Sequence, residues 1–239
     1  MSVPGPSGRL LVDGLLPAGA VAAEAYDDER DAAGVPVSAL LAVERDVARG
    51  RSERRRREAT TARHCAREAL RALGHAWAAV PRLASGAPRW PDGVVGSITH
   101  CDGYRGAVVA RRADVPTLGL DAERHAPLPQ VVRDHVVRPD EHATVAALAA
   151  RGVHGDRVLF SAKEAVFKAW HPVAGTTLGF LDARVELGAP RSTGAGEVRA
   201  HVPHVAGGPS RLVGRWAVRR GLVVVVVAGS PDGRGPSEW

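Results

Sequence analysis

With 239 residues, 45% of them hydrophobic, the chain can bury a proper core as one large domain or as two small halves. A net charge of +6 and a pI near 10.3 favour polyanionic partners: nucleic acid, a phosphate-rich cofactor or an acidic protein surface. There is no 18-residue apolar run, no charged-then-apolar leader and no CxxC pair, since Cys65 and Cys101 lie far apart; a cytoplasmic protein with free thiols and no zinc site is expected.

In chain order, residues 1 to 20 read as an irregular entry with an edge strand around Leu10 to Leu15. A helical pattern begins at Val37 with Leu40, Leu41 and Val43 and is interrupted by Gly50. Ser52 caps a second helix, whose Ala62, Ala66, Ala69, Leu70 and Leu73 recur at helical spacing until Gly74. Residues 81 to 93 form a Pro- and Gly-rich loop. Strands are predicted at Val94–Thr99, Gly106–Arg111 and Thr117–Asp121, as a small antiparallel sheet. Pro139-Asp140-Glu141 opens a helix through Ala150, and Asp156 caps another through Trp170. Strands follow at Ala183–Leu187, Arg211–Val218 and Gly221–Ala228, the last two joined at Arg219-Arg220, and Gly229–Trp239 is expected to be disordered. Helices followed by strands occur twice, so the expected fold is mixed α/β in two similar halves, 1–119 and 120–239.

Between Glu44 and Arg71 there are ten arginines and five acidic residues, so this segment carries +5 of the chain's charge. In an Arg-biased sequence most of these line a solvated face. Arg55 and Arg63 are the best candidates for a phosphate site, because the guanidinium fork matches phosphate oxygens. Of the basic residues, 30 are arginines and two are lysines, and both lysines, Lys163 and Lys168, lie in Phe160–Trp170. A compact ammonium used twice in one helix marks a place where a planar guanidinium does not substitute.

Asp121 and Glu123 share one face of a strand end, where paired carboxylates call for a cation, and Mg²⁺ takes hard oxygen ligands. Glu164, on a largely apolar helix, is a third carboxylate; Lys168 lies one turn later on its face, while Lys163 lies about 100° around. The plain alternative for Glu164 and Lys168 is a surface i,i+4 pair. Thr99 and His100 end a strand before a turn and are able to donate to phosphate oxygens. His100 and Cys101, as strand neighbours, face opposite ways and do not form a Cys–His pair.

Gly-Ser-Ile-Thr-His at 96–100, Leu-Gly-Leu-Asp-Ala-Glu at 118–123 and Phe-Ser-Ala-Lys-Glu-Ala-Val-Phe-Lys-Ala at 160–169 resemble, in order and spacing, the three signatures of the Sfp-type 4′-phosphopantetheinyl transferases. Arg63-His64-Cys65-Ala66-Arg67 and Trp90-Pro91-Asp92-Gly93 resemble the actinobacterial members. The resemblance implies two similar α/β halves with coenzyme A between them, acting as co-substrate. It implies transfer of phosphopantetheine to a serine of apo carrier domains of fatty-acid, polyketide or nonribosomal peptide synthases, with release of adenosine 3′,5′-bisphosphate. Asp121, Glu123 and Glu164 would hold Mg²⁺, or Mn²⁺ in its place; Glu164, or a water it orders, would take the serine proton; Lys168 would serve the leaving phosphate. Thr99, His100 and Lys163 would contact the coenzyme, or Lys163 the carrier, and Arg55 and Arg63 would grip its 3′-phosphate. Ser85 and Ala87 are neutral where many relatives have a basic residue, which turns attention to Arg82 or Arg89, and Ala122 leaves a coordination position to water. A monomer is the default. A nucleic-acid-binding protein built on the Arg-rich helix remains open, though few aromatics accompany it, as does another Mg²⁺ phosphoryl enzyme such as a pyrophosphatase.

Overall fold

Alternation along two valine-rich strands shows how the layers are stacked. The computed structural model describes residues 10–191, 195–205 and 208–229. Strands β1 (Val21–Ala25), β2 (Val94–Cys101) and β3 (Tyr104–Arg111) form an antiparallel sheet in the order β1-β3-β2. Strands β4 (Leu118–Arg124), β5 (Arg184–Leu187), β6 (Ala195–His201), β7 (Arg211–Arg219) and β8 (Leu222–Ala228) form a second, ordered β4-β8-β7-β6-β5. On β3, Ala107 and Val109 pack under helix α1 (Glu53–Ala72), while Val108 and Ala110 face the space between the sheets. On β8, Val223, Val225 and Val227 pack under helix α4 (Gly155–Ala174), while Val224, Val226 and Ala228 face that same inner space. Period-two alternation thus places two sheets between two 20-residue helices, with β8 buried on both faces.

Each half uses the same topology: one strand, a long helix, then a hairpin whose second strand pairs with the first. In the N-terminal half these are β1, α1 and β2-β3; in the C-terminal half they are β4, α4 and β7-β8, extended by β6 and β5. Two short helices, α2 (Gln130–Val136) and α3 (His142–Ala149), lie between β4 and α4. The chain passes from one sheet to the other through residues 112–117, and Leu118 and Gly119 already belong to β4.

Several boundaries differ from the sequence reading. Residues 10–15 are a turn rather than a strand, although Leu10, Leu11, Val12 and Leu15 are buried between the sheets; Glu24 accepts bonds from the backbone N–H groups of Leu11 and Val12 and holds them there. The pattern at Val37–Val43 yields only a short 3₁₀ turn at Ala42–Val47, closed by the buried Glu44, whose carboxylate pairs with Arg67 and accepts from the Leu41 and Val80 N–H groups. Thr117–Asp121 extends to Arg124 and joins the second sheet, not the first. Ser52 caps α1 as expected, through the Arg55 N–H. Asp156 lies inside α4 and accepts instead from the Leu128 N–H at 3.0 Å. The segment after Gly229, expected to be disordered, falls outside the described residues. No helix among the described residues is long and apolar enough to cross a membrane.

Candidate active site

The edge strands β2 and β4 meet side by side, and α4 lies across them. The crossing depends on Gly119: a Cβ there would lie 2.0 Å from the Ala165 carbonyl oxygen, so only glycine lets the helix backbone approach so closely. The neighbouring face residues of β4, Asp121 and Glu123, then lie beneath Glu164 and Lys168 of the helix.

Asp121 is buried and fully engaged. Its Oδ1 accepts from the Lys168 ammonium at 2.6 Å and from the Thr99 hydroxyl at 3.2 Å, and its Oδ2 accepts from the Ser161 hydroxyl at 2.8 Å. The Lys168 ammonium also donates to the Leu120 carbonyl at 3.1 Å and to Thr99 Oγ1 at 3.3 Å. Thr99 Oγ1 accepts from the Ala122 N–H at 3.3 Å as well, so this hydroxyl stitches the two sheet edges together. Ser161 carried no signal in the sequence beyond its place in the helix motif.

Glu123 is held at Oε2 by Arg157 at 3.1 Å. Burial raises its carboxyl above the usual carboxylate range, and the charge of Asp121 raises it further against the opposing pull of Arg157. Glu164 is likewise raised, by burial first and Asp121 second, with Lys168 opposing. Hard oxygen donors whose mutual repulsion resists ionisation are a donor set that suits a divalent cation. They are not gathered around one here: among the described residues no group of three His, Cys, Asp or Glu side chains stands at metal-ligand spacing, and the Lys168 ammonium is the cation on Asp121.

His100, next to Thr99, is mostly buried. Burial pushes its imidazole below the usual histidine range, the Glu58 carboxylate opposing, and its Nδ1 lies 3.7 Å from Glu58 Oε2. Glu58, buried on α1, also pairs with Arg55 at 2.9 Å and Arg54 at 3.4 Å, linking the arginine run to the strand end; sequence reasoning missed it. Arg63 is 8% exposed, its Nε is buried with no hydrogen-bond partner, and Arg51, Arg67 and Arg82 add positive potential around it. Burial lowers its pKa to about 10, which Glu44 partly offsets. The other arginines of the run, such as Arg56 and Arg57, pair with Glu53 on the exposed face.

Lys163, predicted as a coenzyme or carrier contact, points into the protein interior instead. It is 2% exposed, and its ammonium donates to the Val136 carbonyl at 2.7 Å, Glu141 Oε2 at 2.7 Å and the Phe180 carbonyl at 2.9 Å. Glu141 in turn accepts from the Val185 and Arg138 N–H groups. This buried node ties the turn after α2 and the entry to β5 onto α4, and leaves no donor for a coenzyme or carrier. Cys65 and Cys101 are free, and burial pushes both thiols up, which argues against nucleophilic use.

A cavity of about 480 Å³ opens beside Glu164 and Lys168. One wall is the loop from Leu83 to Trp90, a second is β2, and the third is α4 with Glu164, Phe167 and Lys168. Gly96 shapes it: a Cβ there would lie 2.8 Å from the Trp90 ring, whose Nε1–H donates to the Gly96 carbonyl at 2.9 Å. The arrangement offers a partly apolar cavity walled in part by the Glu164 carboxylate and the Lys168 ammonium, with arginines near His100.

Known proteins share this layout in sequence. The model of the 4′-phosphopantetheinyl transferase N-terminal domain matches residues 43–110, and that of the 4′-phosphopantetheinyl transferase superfamily matches 117–207. The 4′-phosphopantetheinyl transferase Svp of Streptomyces mobaraensis is 46% identical over 223 residues, covering 91% of this chain and 89% of the relative. PptT of Mycobacterium tuberculosis is 42% identical over 86% of this chain and 90% of its own length, and Npt of Nocardia iowensis 39% identical over 91% and 99%. Matched across both halves, with the three motifs converging on one cleft, the chain belongs to the 4′-phosphopantetheinyl transferase superfamily.

Proposed function

We infer that this protein moves the 4′-phosphopantetheine group of coenzyme A onto a serine of apo carrier proteins, and that the node around Asp121, Glu164 and Lys168 does the chemistry. The observation that carries this is the single ammonium shared by Asp121, Thr99 and the Leu120 carbonyl on the wall of the cavity, one helical turn from Glu164. In the reaction the serine oxygen forms a bond to the β-phosphorus while the bond from that phosphorus to the bridging pyrophosphate oxygen breaks. The electron pair leaves with adenosine 3′,5′-bisphosphate.

Position supports each role. Glu164, whose raised pKa brings it nearer neutrality, takes the serine proton directly or through a water. Lys168 supplies the fixed positive charge for the leaving oxygens. His100, whose imidazole burial pushes below the usual histidine range, donates a hydrogen bond to the coenzyme phosphates, with Thr99 beside it to fix the strand end. Arg63, with its unpartnered Nε among other cations, and Arg55 grip the 3′-phosphate, and Arg82 stands close enough to add to that field where the loop lacks a basic residue at Ser85 and Ala87. Mg²⁺, or Mn²⁺, held by Asp121, Glu123 and Glu164 would offset the charge of the pyrophosphate. Positioning and charge compensation are what such a transfer needs, and no enzyme nucleophile is required.

Carrier domains of polyketide, nonribosomal peptide or fatty-acid synthases are the acceptors, and the enzyme works in the cytoplasm as a monomer. The test is incubation with coenzyme A, Mg²⁺ and several apo carriers, followed by intact mass. A phosphopantetheine adduct that disappears on chelation supports the reading; no adduct on any carrier sinks it.

A further inference from the structure

We propose that Arg157 is a positioning residue that sets Glu123 for the divalent cation. The guanidinium projects from the first turn of α4 and spends its three nitrogens on one short stretch of chain. Nε donates to the Ala126 carbonyl at 3.0 Å, one terminal nitrogen to Glu123 Oε2 at 3.1 Å, and the other to the Pro127 carbonyl at 3.2 Å. The same guanidinium lies over the Phe160 ring, 5.8 Å from its centroid, so its plane is packed as well as bonded. The adjoining contacts pull the same way: Asp156 accepts from the Leu128 N–H, and the His154 N–H donates to His125 Nε2 at 2.9 Å.

Glu123 is the last residue but one of β4, and the hydrogen bond to its side chain comes from Arg157 rather than from the strand. A carboxylate facing Asp121 and Glu164 swings away from them unless a counter-charge holds it. Arg157 provides that counter-charge from the outer side. It takes Oε2 and leaves Oε1 outside the fork, so the grip orients the carboxylate without closing it to a cation. Two carbonyl anchors keep the guanidinium where it is when the cation binds. A lysine has no planar fork and is unable to make the three bonds at once. Such outer contacts typically change metal affinity by about 10- to 100-fold.

This rests on the cation assignment above, and the experiment separates the two. Mn²⁺ affinity is measured in the presence of coenzyme A by calorimetry, and the half-saturating Mg²⁺ concentration and kcat by transfer assay, for wild type, Arg157→Met, Arg157→Lys, Asp156→Ala, Glu123→Gln and the double variant Glu123→Gln/Arg157→Met. Arg157→Met is expected to weaken Mn²⁺ binding and raise the half-saturating Mg²⁺ by roughly tenfold or more, with kcat at saturating Mg²⁺ within a few fold. Arg157→Lys recovers little of this. Asp156→Ala, which loosens the same loop without touching Glu123, lowers the melting temperature but leaves cation affinity alone. In the Glu123→Gln background, removal of Arg157 adds almost nothing. Unchanged or tighter Mn²⁺ binding by a folded Arg157→Met overturns the proposal, as do equal losses in Asp156→Ala and Arg157→Met. A wild type whose Mn²⁺ binding ignores Glu123→Gln overturns the cation assignment and this inference with it.

Discussion

Replacing Gly119 with alanine tests the geometry from which the site is built. The added Cβ would lie 2.0 Å from the Ala165 carbonyl oxygen, 2.9 Å from its carbon and 3.1 Å from the Ala169 Cβ. Non-bonded contacts of this kind settle near ~3.5 Å, so α4 has to retreat by more than about 1 Å at this crossing. Ala165 stands directly beside Glu164 and three residues before Lys168, so both functional side chains retreat with it. A displacement of about 1 Å at a reacting group costs on the order of 100-fold in rate, whereas the overpacking itself costs about 1–3 kcal/mol. Gly119→Ala should therefore remain folded, melt several degrees lower, and lose roughly two orders of magnitude in kcat for transfer to an apo carrier, followed by intact mass or a labelled coenzyme. Ala165→Gly should not rescue it, because the clash is with a backbone carbonyl and not a methyl group. Wild-type kcat in Gly119→Ala, or full rescue by Ala165→Gly, refutes the account.

Glu164→Gln should all but abolish transfer while raising the melting temperature at neutral pH. The folded state holds this carboxyl's pKa above its unfolded value, so ionisation costs stability once the pH exceeds the unfolded value, and fully so above the folded one; the gain over wild type should vanish in acid, which melting curves across pH will show. Lys163→Met leaves the buried Glu141 carboxylate without its counter-charge and should cost about 3–5 kcal/mol in denaturant unfolding, with kcat of the folded fraction close to normal. A large fall in kcat without loss of stability would return Lys163 to the cleft. Lys168→Arg should lose activity nearly as fully as Lys168→Ala, since a planar fork does not meet Asp121, Thr99 and the Leu120 carbonyl together; near-normal turnover would show that charge alone suffices.

Much of this was legible in the chain, and the gaps have physical causes. Continuous apolar runs such as Leu222–Ala228, buried on both faces, and the Ser52-capped helix stand out because burial imposes their pattern locally. Strand β1 reads Val-Ala-Ala-Glu-Ala and β6 reads Ala-Gly-Glu-Val-Arg-Ala-His, sequences with little β-branched content that become strands only because neighbours offer them a ladder. The partner of β4 is β8, about a hundred residues away, and no local signal reports such a pairing. Leu10, Leu11, Val12 and Leu15 are apolar because they plug the gap between the sheets, held there by Glu24, a contact invisible to periodicity. Motif spacing located Asp121, Glu164 and Lys168; it was silent on Ser161, Glu58 and Arg157, whose roles depend on what lies across from them.

The two lysines show why the composition was informative even where the role drawn from it was not. Both ammonium groups meet three oxygen acceptors converging from different directions: two carbonyls and a carboxylate at Lys163, and a carbonyl, a carboxylate and a hydroxyl at Lys168. A tetrahedral –NH₃⁺ satisfies such a set, whereas a guanidinium spreads its donors in one plane. The same chain uses Arg157 where its acceptors, the Glu123 carboxylate and the Ala126 and Pro127 carbonyls, lie along one edge of backbone and suit a flat fork. Choice of cation therefore follows acceptor geometry on every side of α4. The four residues between the lysines turn one ammonium into the protein interior and the other into the cleft, so one preference for lysine serves the fold at Lys163 and, in the function proposed above, the reaction at Lys168.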